Sequence, residues 1–182
     1  MILRETPIFF GLIITVITLI VLFIMRKPWK LNLQIGVLML YITAVIAITL
    51  FPIELDVSDL AGMGYDYEYN FVPFSGIISS LSDGGKYAVM SVVGNIIMFM
   101  PLGFLVPLLF DKSKQMKLWQ LMIIFLLSTV FIEFMQFLIG LMIQFKYRCV
   151  DIDDVILNFA GALIGLGIYK IIPKKIIGLI SD

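Results

Sequence analysis

The chain has 182 residues, of which 61% are apolar and 14% charged, with a formal net charge of zero and a mean hydropathy of +1.08. These values lie outside the range of a soluble domain and define an integral membrane protein. There is no histidine, which excludes Ser-His and Cys-His nucleophilic pairs and any use of imidazole as acid, base or phosphoryl acceptor. Cys149 is the one cysteine, so neither an internal disulfide nor a thiolate metal cluster is available, and no cofactor is implied.

An apolar helix of about 20 residues crosses about 30 Å of hydrocarbon. Stretches of that kind occur near Pro7 to Met25, Leu31 to Ile53, Tyr87 to Phe110, Leu118 to Ile143 and Val155 to Ile172. They predict an all-α bundle of five transmembrane helices forming one domain over 1–182. Arg4 precedes the first run, but the run is too long for a signal peptide and no small-x-small cleavage site follows it. It reads as a retained first helix.

Charge is distributed unevenly among the connections. Arg26, Lys27 and Lys30 fill the first, Lys112, Lys114 and Lys117 the third, and Lys170, Lys174 and Lys175 the C-terminal end. The positive-inside rule places these in the cytoplasm. The second connection carries Glu54, Asp56, Asp59, Asp66, Glu68 and Asp83 against Lys86, and the fourth carries Asp151, Asp153 and Asp154 beside Lys146 and Arg148. Those lie outside, which predicts an N-out, C-in topology with an external loop after the second helix.

Within that external loop, Tyr65 to Asn70 alternates aromatic and polar residues and is followed by Phe71-Val72-Pro73-Phe74. Alternation suits a short extended segment. Its aromatic rings fit an interfacial belt, or an acidic, aromatic lid over an outer-leaflet cavity. Ser75 is placed to cap a short segment, Gly76 to Leu81, which Asp83-Gly84-Gly85 ends.

The third span runs inward, so Asn95 lies roughly 12 Å below the outer surface, with Phe99 and Gly103 following at four-residue steps. Pro101 is expected to kink or loosen this helix. The carbonyl it frees, near Ile97 or Met98, then needs a partner from neighbouring helices, polar side chains or buried water.

Glu133 lies inside the fourth span, where a carboxylate is costly unless paired, hydrated or protonated and therefore marks a functional site. Gln136 and Gly140 share its face, an arc about 60° wide at 100° per residue. On the fifth span, Asp151, Asp154, Asn158, Gly161 and Gly165 follow a 3-4-3-4 repeat within an arc of roughly 80°. The small residues of that stripe read as a close helix-packing face. Asp151 and Asp154 also suit N-terminal capping, although capping accounts for neither Asn158 nor Glu133. Arg148 stands a few residues before this helix, where its guanidinium can pair with Asp151, Asp154 or Glu133.

Four elements occur in order: Asn70-x-x-Pro73-Phe74; Asn95-x3-Phe99-x-Pro101-x-Gly103; Glu133-x-x-Gln136; and Arg148-x2-Asp151-x2-Asp154-x3-Asn158-x2-Gly161-x3-Gly165. In order and spacing the combination resembles the VanZ-like family, over about Leu38 to Tyr169. The resemblance implies a small bacterial membrane protein of the cell envelope, and the family's namesake is associated with resistance to teicoplanin and related lipid-tailed glycopeptide antibiotics. It implies a phenotype and a place rather than a reaction.

Several classes of function are consistent with these residues. One is a binding protein whose outer-leaflet polar pocket, formed by Asn70, Asn95, Glu133, Gln136, Arg148, Asp151, Asp154 and Asn158, recognises an envelope lipid headgroup or a lipoglycopeptide. Another is an enzyme acting on an envelope lipid or cell-wall precursor, with Glu133, Asp151 or Asp154 as acid, base or nucleophile. A metal-assisted variant would use Asp151, Asp153, Asp154 and Glu133 as oxygen ligands, which Arg148 opposes; no metal site is expected. Transport would share the buried carboxylate and the proline-broken helix. Membrane lipids are the expected partners, and scattered basic residues in short loops give no support for nucleic-acid binding.

Overall fold

A computed structural model describes residues 1–53, 69–82, 86–110, 116–143 and 150–180. Five helices in it are long and apolar enough to cross a membrane. They are α1 (Glu5–Ile24), α2 (Trp29–Thr49), α4 (Lys86–Phe110), α5 (Leu118–Ile143) and α6 (Ile152–Ile171). Two short helices, α3 (Ser75–Ser82) and α7 (Lys174–Ile180), and two two-residue strands, β1 (Tyr69–Asn70) and β2 (Val150–Asp151), complete the described elements. The protein is an all-α membrane protein.

Such long helices follow from the apolar runs because lipid offers backbone groups no partners, so each span must satisfy its own. Hydroxyls inside the spans do the same locally. Thr15 donates to the Gly11 carbonyl at 2.7 Å, Thr18 to Ile14 at 2.8 Å and Thr49 to Val45 at 2.7 Å. The second span stops at Thr49, short of the expected Ile53, and the chain continues through Leu50 and Pro52. There Ile53 exchanges backbone hydrogen bonds with Ile2.

The centre of the bundle is the α4–α6 pair. A Cβ added at Gly103 would run into the Ala162 carbonyl oxygen, one at Gly161 into that of Ile96, and one at Gly165 into that of Met100. The Gly161-x-x-x-Gly165 stripe is therefore a helix-packing face, and it meets α4 where the third span has its own glycine. Around this seam Phe99, Leu102, Val106, Leu121, Phe125, Ile132, Ala162 and Leu166 form the core. α5 and α2 pack beside the pair, and α1 rests on α2 with most of its surface exposed.

Pro101 sits inside α4 without ending it. As expected, a carbonyl next to it has an outside partner: the Tyr41 hydroxyl of α2 donates to Met98 O at 3.0 Å. Near the N-terminus of α2, Lys30 and Gln34 donate to the carbonyls of Gly178 and Ile180 at 3.1 and 2.6 Å. These bonds satisfy the last carbonyls of α7 and hold it against the bundle, with Ile177 buried.

Candidate functional site

The end of the bundle formed by the C-termini of α2 and α5 and the N-termini of α4 and α6 holds most of the polar residues. A clasp covers it. β1 pairs in parallel with β2, placing Tyr69 beside Val150 and Asn70 beside Asp151. Asn70 Nδ2 donates to Asp151 Oδ1 at 2.8 Å, while Asn70 Oδ1 accepts from Ser75 Oγ at 2.7 Å and from the Val72 N–H at 3.2 Å. Asp151 is also the N-cap of α6, accepting from the Asp153 N–H at 2.8 Å. Capping, offered by the sequence for one of its acids, is thus the work of Asp151.

The cap of α3 differs from the expected one. Ser75 begins that helix, but its hydroxyl turns back to Asn70 and to Val72 O. The orphan N–H groups go instead to Asp153 of α6: its Oδ1 accepts from Phe74 and its Oδ2 from Ile77. Phe74 holds a left-handed φ of 69°, a conformation uncommon for a residue with a side chain, and the bond from its N–H to Asp153 helps fix it. Asp153 is only 2% exposed. Its distant partner left no local signal by which the sequence could single it out.

Beneath the clasp lies a cavity of about 690 Å³ between α2, α4, α5 and α6. Asn95, Glu133, Gln136, Asp154 and Asn158 all line it, as do Thr49 and Ser91. The exposed apolar side chains of Ile48, Val93 and Ile97 also line it. Asn70 and Asp151 lie in the clasp and do not line the cavity. Arg148 and Tyr65 to Glu68, the first four residues of the aromatic alternation, lie outside the described residues; Tyr69 packs on Phe137 of α5 with ring centroids 6.0 Å apart.

Within the cavity the polar groups are held in different ways. Asn95 Nδ2 donates to Asp154 Oδ1 at 2.5 Å, linking α4 to α6. Gln136 Nε2 donates to Thr49 O at 3.1 Å, satisfying a carbonyl at the end of α2. Glu133, 5% exposed, accepts from the Asp151 N–H at 3.3 Å. That contact joins clasp and cavity.

Asn158 stands apart. It is 2% exposed and lines the cavity, yet among the described residues its Oδ1 has no hydrogen-bond partner. An unsatisfied buried polar atom costs about 1–3 kcal/mol, so a donor that reached this oxygen would be stabilising. Among the described residues no three Asp or Glu side chains gather as a metal-ligand set.

Fold and site together define a multi-pass α-helical membrane protein with a largely apolar cavity between its spans, into whose wall five polar side chains are gathered. The family described as VanZ/LLP1 matches residues 38–173, which contain the clasp, the cavity and the α4–α6 seam, and the chain belongs to that family. No curated protein and no solved structure matches it.

Proposed function

We propose that this is a bacterial cytoplasmic-membrane protein that lowers susceptibility to teicoplanin-type lipoglycopeptides, using an outward-facing polar cavity that binds the antibiotic or an envelope lipid headgroup. The observation that carries the binding half is a cavity whose wall collects Asn95, Glu133, Gln136, Asp154 and Asn158, the last with a side-chain oxygen that has no hydrogen-bond partner among the described residues. Its size lies within the 300–1,000 Å³ typical of small-molecule sites. Family membership supports the resistance half.

The test is growth under teicoplanin of cells expressing Glu133→Gln, Arg148→Ala or Asp154→Asn at matched membrane levels. Protection should fall in at least one variant. Undiminished protection by all three sinks the proposal.

A second reading is favoured by one observation: Glu133 and Asp154 line the same cavity. Two carboxylates in different surroundings can divide acid and base roles on an envelope lipid. That reading requires a new product in lipid extracts from expressing cells, compared by mass spectrometry with extracts from cells lacking the protein.

A further inference from the structure

The end of the bundle away from the clasp collects charge of one sign. It is formed by the C-termini of α1, α4 and α6, the N-termini of α2 and α5, and α7. Arg26, Lys27, Lys30, Lys117, Lys170 and Lys175 stand there, all but Lys30 exposed, and among the described residues no Asp or Glu does. Both tryptophans of the chain, Trp29 and Trp119, stand at this end too, 67% and 56% exposed. Dispersed along the sequence, these residues meet because successive spans run in opposite directions.

One side of α7 belongs to the protein: Lys30 and Gln34 hold its last carbonyls, and Ile177 is 3% exposed. At 100° per residue, Lys175, Leu179 and Ile176 follow one another over an arc of roughly 100°, and Ile177 stands roughly 160° from Leu179. Ile176 and Leu179 are 52% and 67% exposed. We infer that α7 lies in the plane of the membrane surface with Ile176 and Leu179 in the acyl boundary, and that this basic end is a docking surface for anionic phospholipid. An apolar edge flanked by a lysine is the pattern of an interfacial helix, and exposed tryptophans belong at the headgroup level. Each Lys or Arg near an anionic leaflet favours it by roughly five-fold, and no acid among the described residues at this end offsets that. A nucleic acid or an acidic soluble protein would satisfy the cations but leave Trp29, Ile176 and Leu179 in water. The surface is independent of the cavity and of the side of the membrane on which this end lies.

The test uses the full chain carrying Trp119→Phe, so that Trp29, next to the Lys30 that holds α7, is the one tryptophan. It is placed in nanodiscs of phosphatidylcholine and phosphatidylglycerol in equal amounts, one or the other brominated on its acyl chains to quench Trp29 on contact. Brominated phosphatidylglycerol should quench several-fold more effectively than brominated phosphatidylcholine, and the difference should shrink in high salt. Lys170→Gln with Lys175→Gln should shrink it as well, whereas Arg4→Gln, at the other end of the bundle, should leave it unchanged. Equal quenching by the two lipids, or a preference indifferent to the lysine pair, overturns the anionic-lipid surface and leaves the cations to an acidic protein partner. Ile176→Gln with Leu179→Gln, at exposed positions and with helix propensity kept, tests the seating of α7. Hydrogen exchange over 174–180 should then accelerate several-fold in the same nanodiscs, and exchange equal to the parent's overturns the seating.

Discussion

The Asp151 N–H and Glu133 Oε2 stand 3.3 Å apart, so the strand pair that closes the clasp also supplies a donor to a carboxylate buried in the spans. Asp151 thereby serves two elements at once. Its backbone holds Glu133, and its side chain accepts from Asn70 and caps α6. Disturbing the clasp should therefore reach the cavity without altering any residue that lines it.

Asn70→Ala removes the donor to Asp151 and the acceptor for Ser75. We expect it to reduce protection against teicoplanin as Glu133→Gln does, while the protein stays folded. Growth assays beside thermal melts in detergent separate the two effects: a cooperative melt lowered by bonds worth about 1 kcal/mol each, unchanged membrane levels and lowered protection are the expected set.

Asp153→Ala should destabilise α3 specifically. It removes two hydrogen bonds to a charged acceptor, each worth about 1.5–3 kcal/mol, and the loss of a helix cap alone typically costs about 1 kcal/mol. Hydrogen exchange should accelerate in peptides covering Phe74 to Ser82 and much less in α5. Uniform acceleration through the bundle would show that the cap does not act locally.

Leucine at Gly103, Gly161 or Gly165 has no room, because the obstruction is backbone carbonyl rather than a movable side chain. Overpacking usually costs 1–3 kcal/mol, and separating α4 from α6 should exceed the upper figure. Loss of monodisperse protein on size exclusion is expected for each. Alanine at Gly94 or Gly167, which face open space, should behave as the parent does.

Tyr41→Phe removes the donor to Met98 O beside Pro101. A net loss of about 1 kcal/mol is expected, visible as a lowered unfolding midpoint. No change would mean that the proline-loosened turn finds another donor at no cost.

The proposed N-out, C-in orientation predicts that, in a Cys149→Ser background, a cysteine at Val72 reacts with a membrane-impermeant maleimide in intact cells. One at Lys27 should react only after permeabilisation. Both positions are exposed, so access decides the result, and the reverse pattern overturns the orientation.

The sequence by itself determined the number of helices long and apolar enough to span a membrane, the bounds of the fourth, and some of the polar residues that turn inward, though not Thr15, Gln34, Thr49 or Thr129. Those properties are local: a span is a run of apolar residues, helical period sets relative direction along it, and a costly polar side chain in lipid faces protein or water. Asn95, Glu133, Gln136, Asp154 and Asn158 could be grouped on that basis. The glycine stripe of α6 was legible for the same reason, although its partners on α4 were not.

Only the tertiary structure decided how those residues divide. Asn70 and Asp151 belong to a clasp, Asp153 caps a helix 76 to 79 residues away, Gln136 serves the end of α2, and Asn158 is left with an unused acceptor among the described residues. A hydrogen bond between distant segments depends on how helices are rotated and how a loop returns, and neither is encoded in spacing along one element.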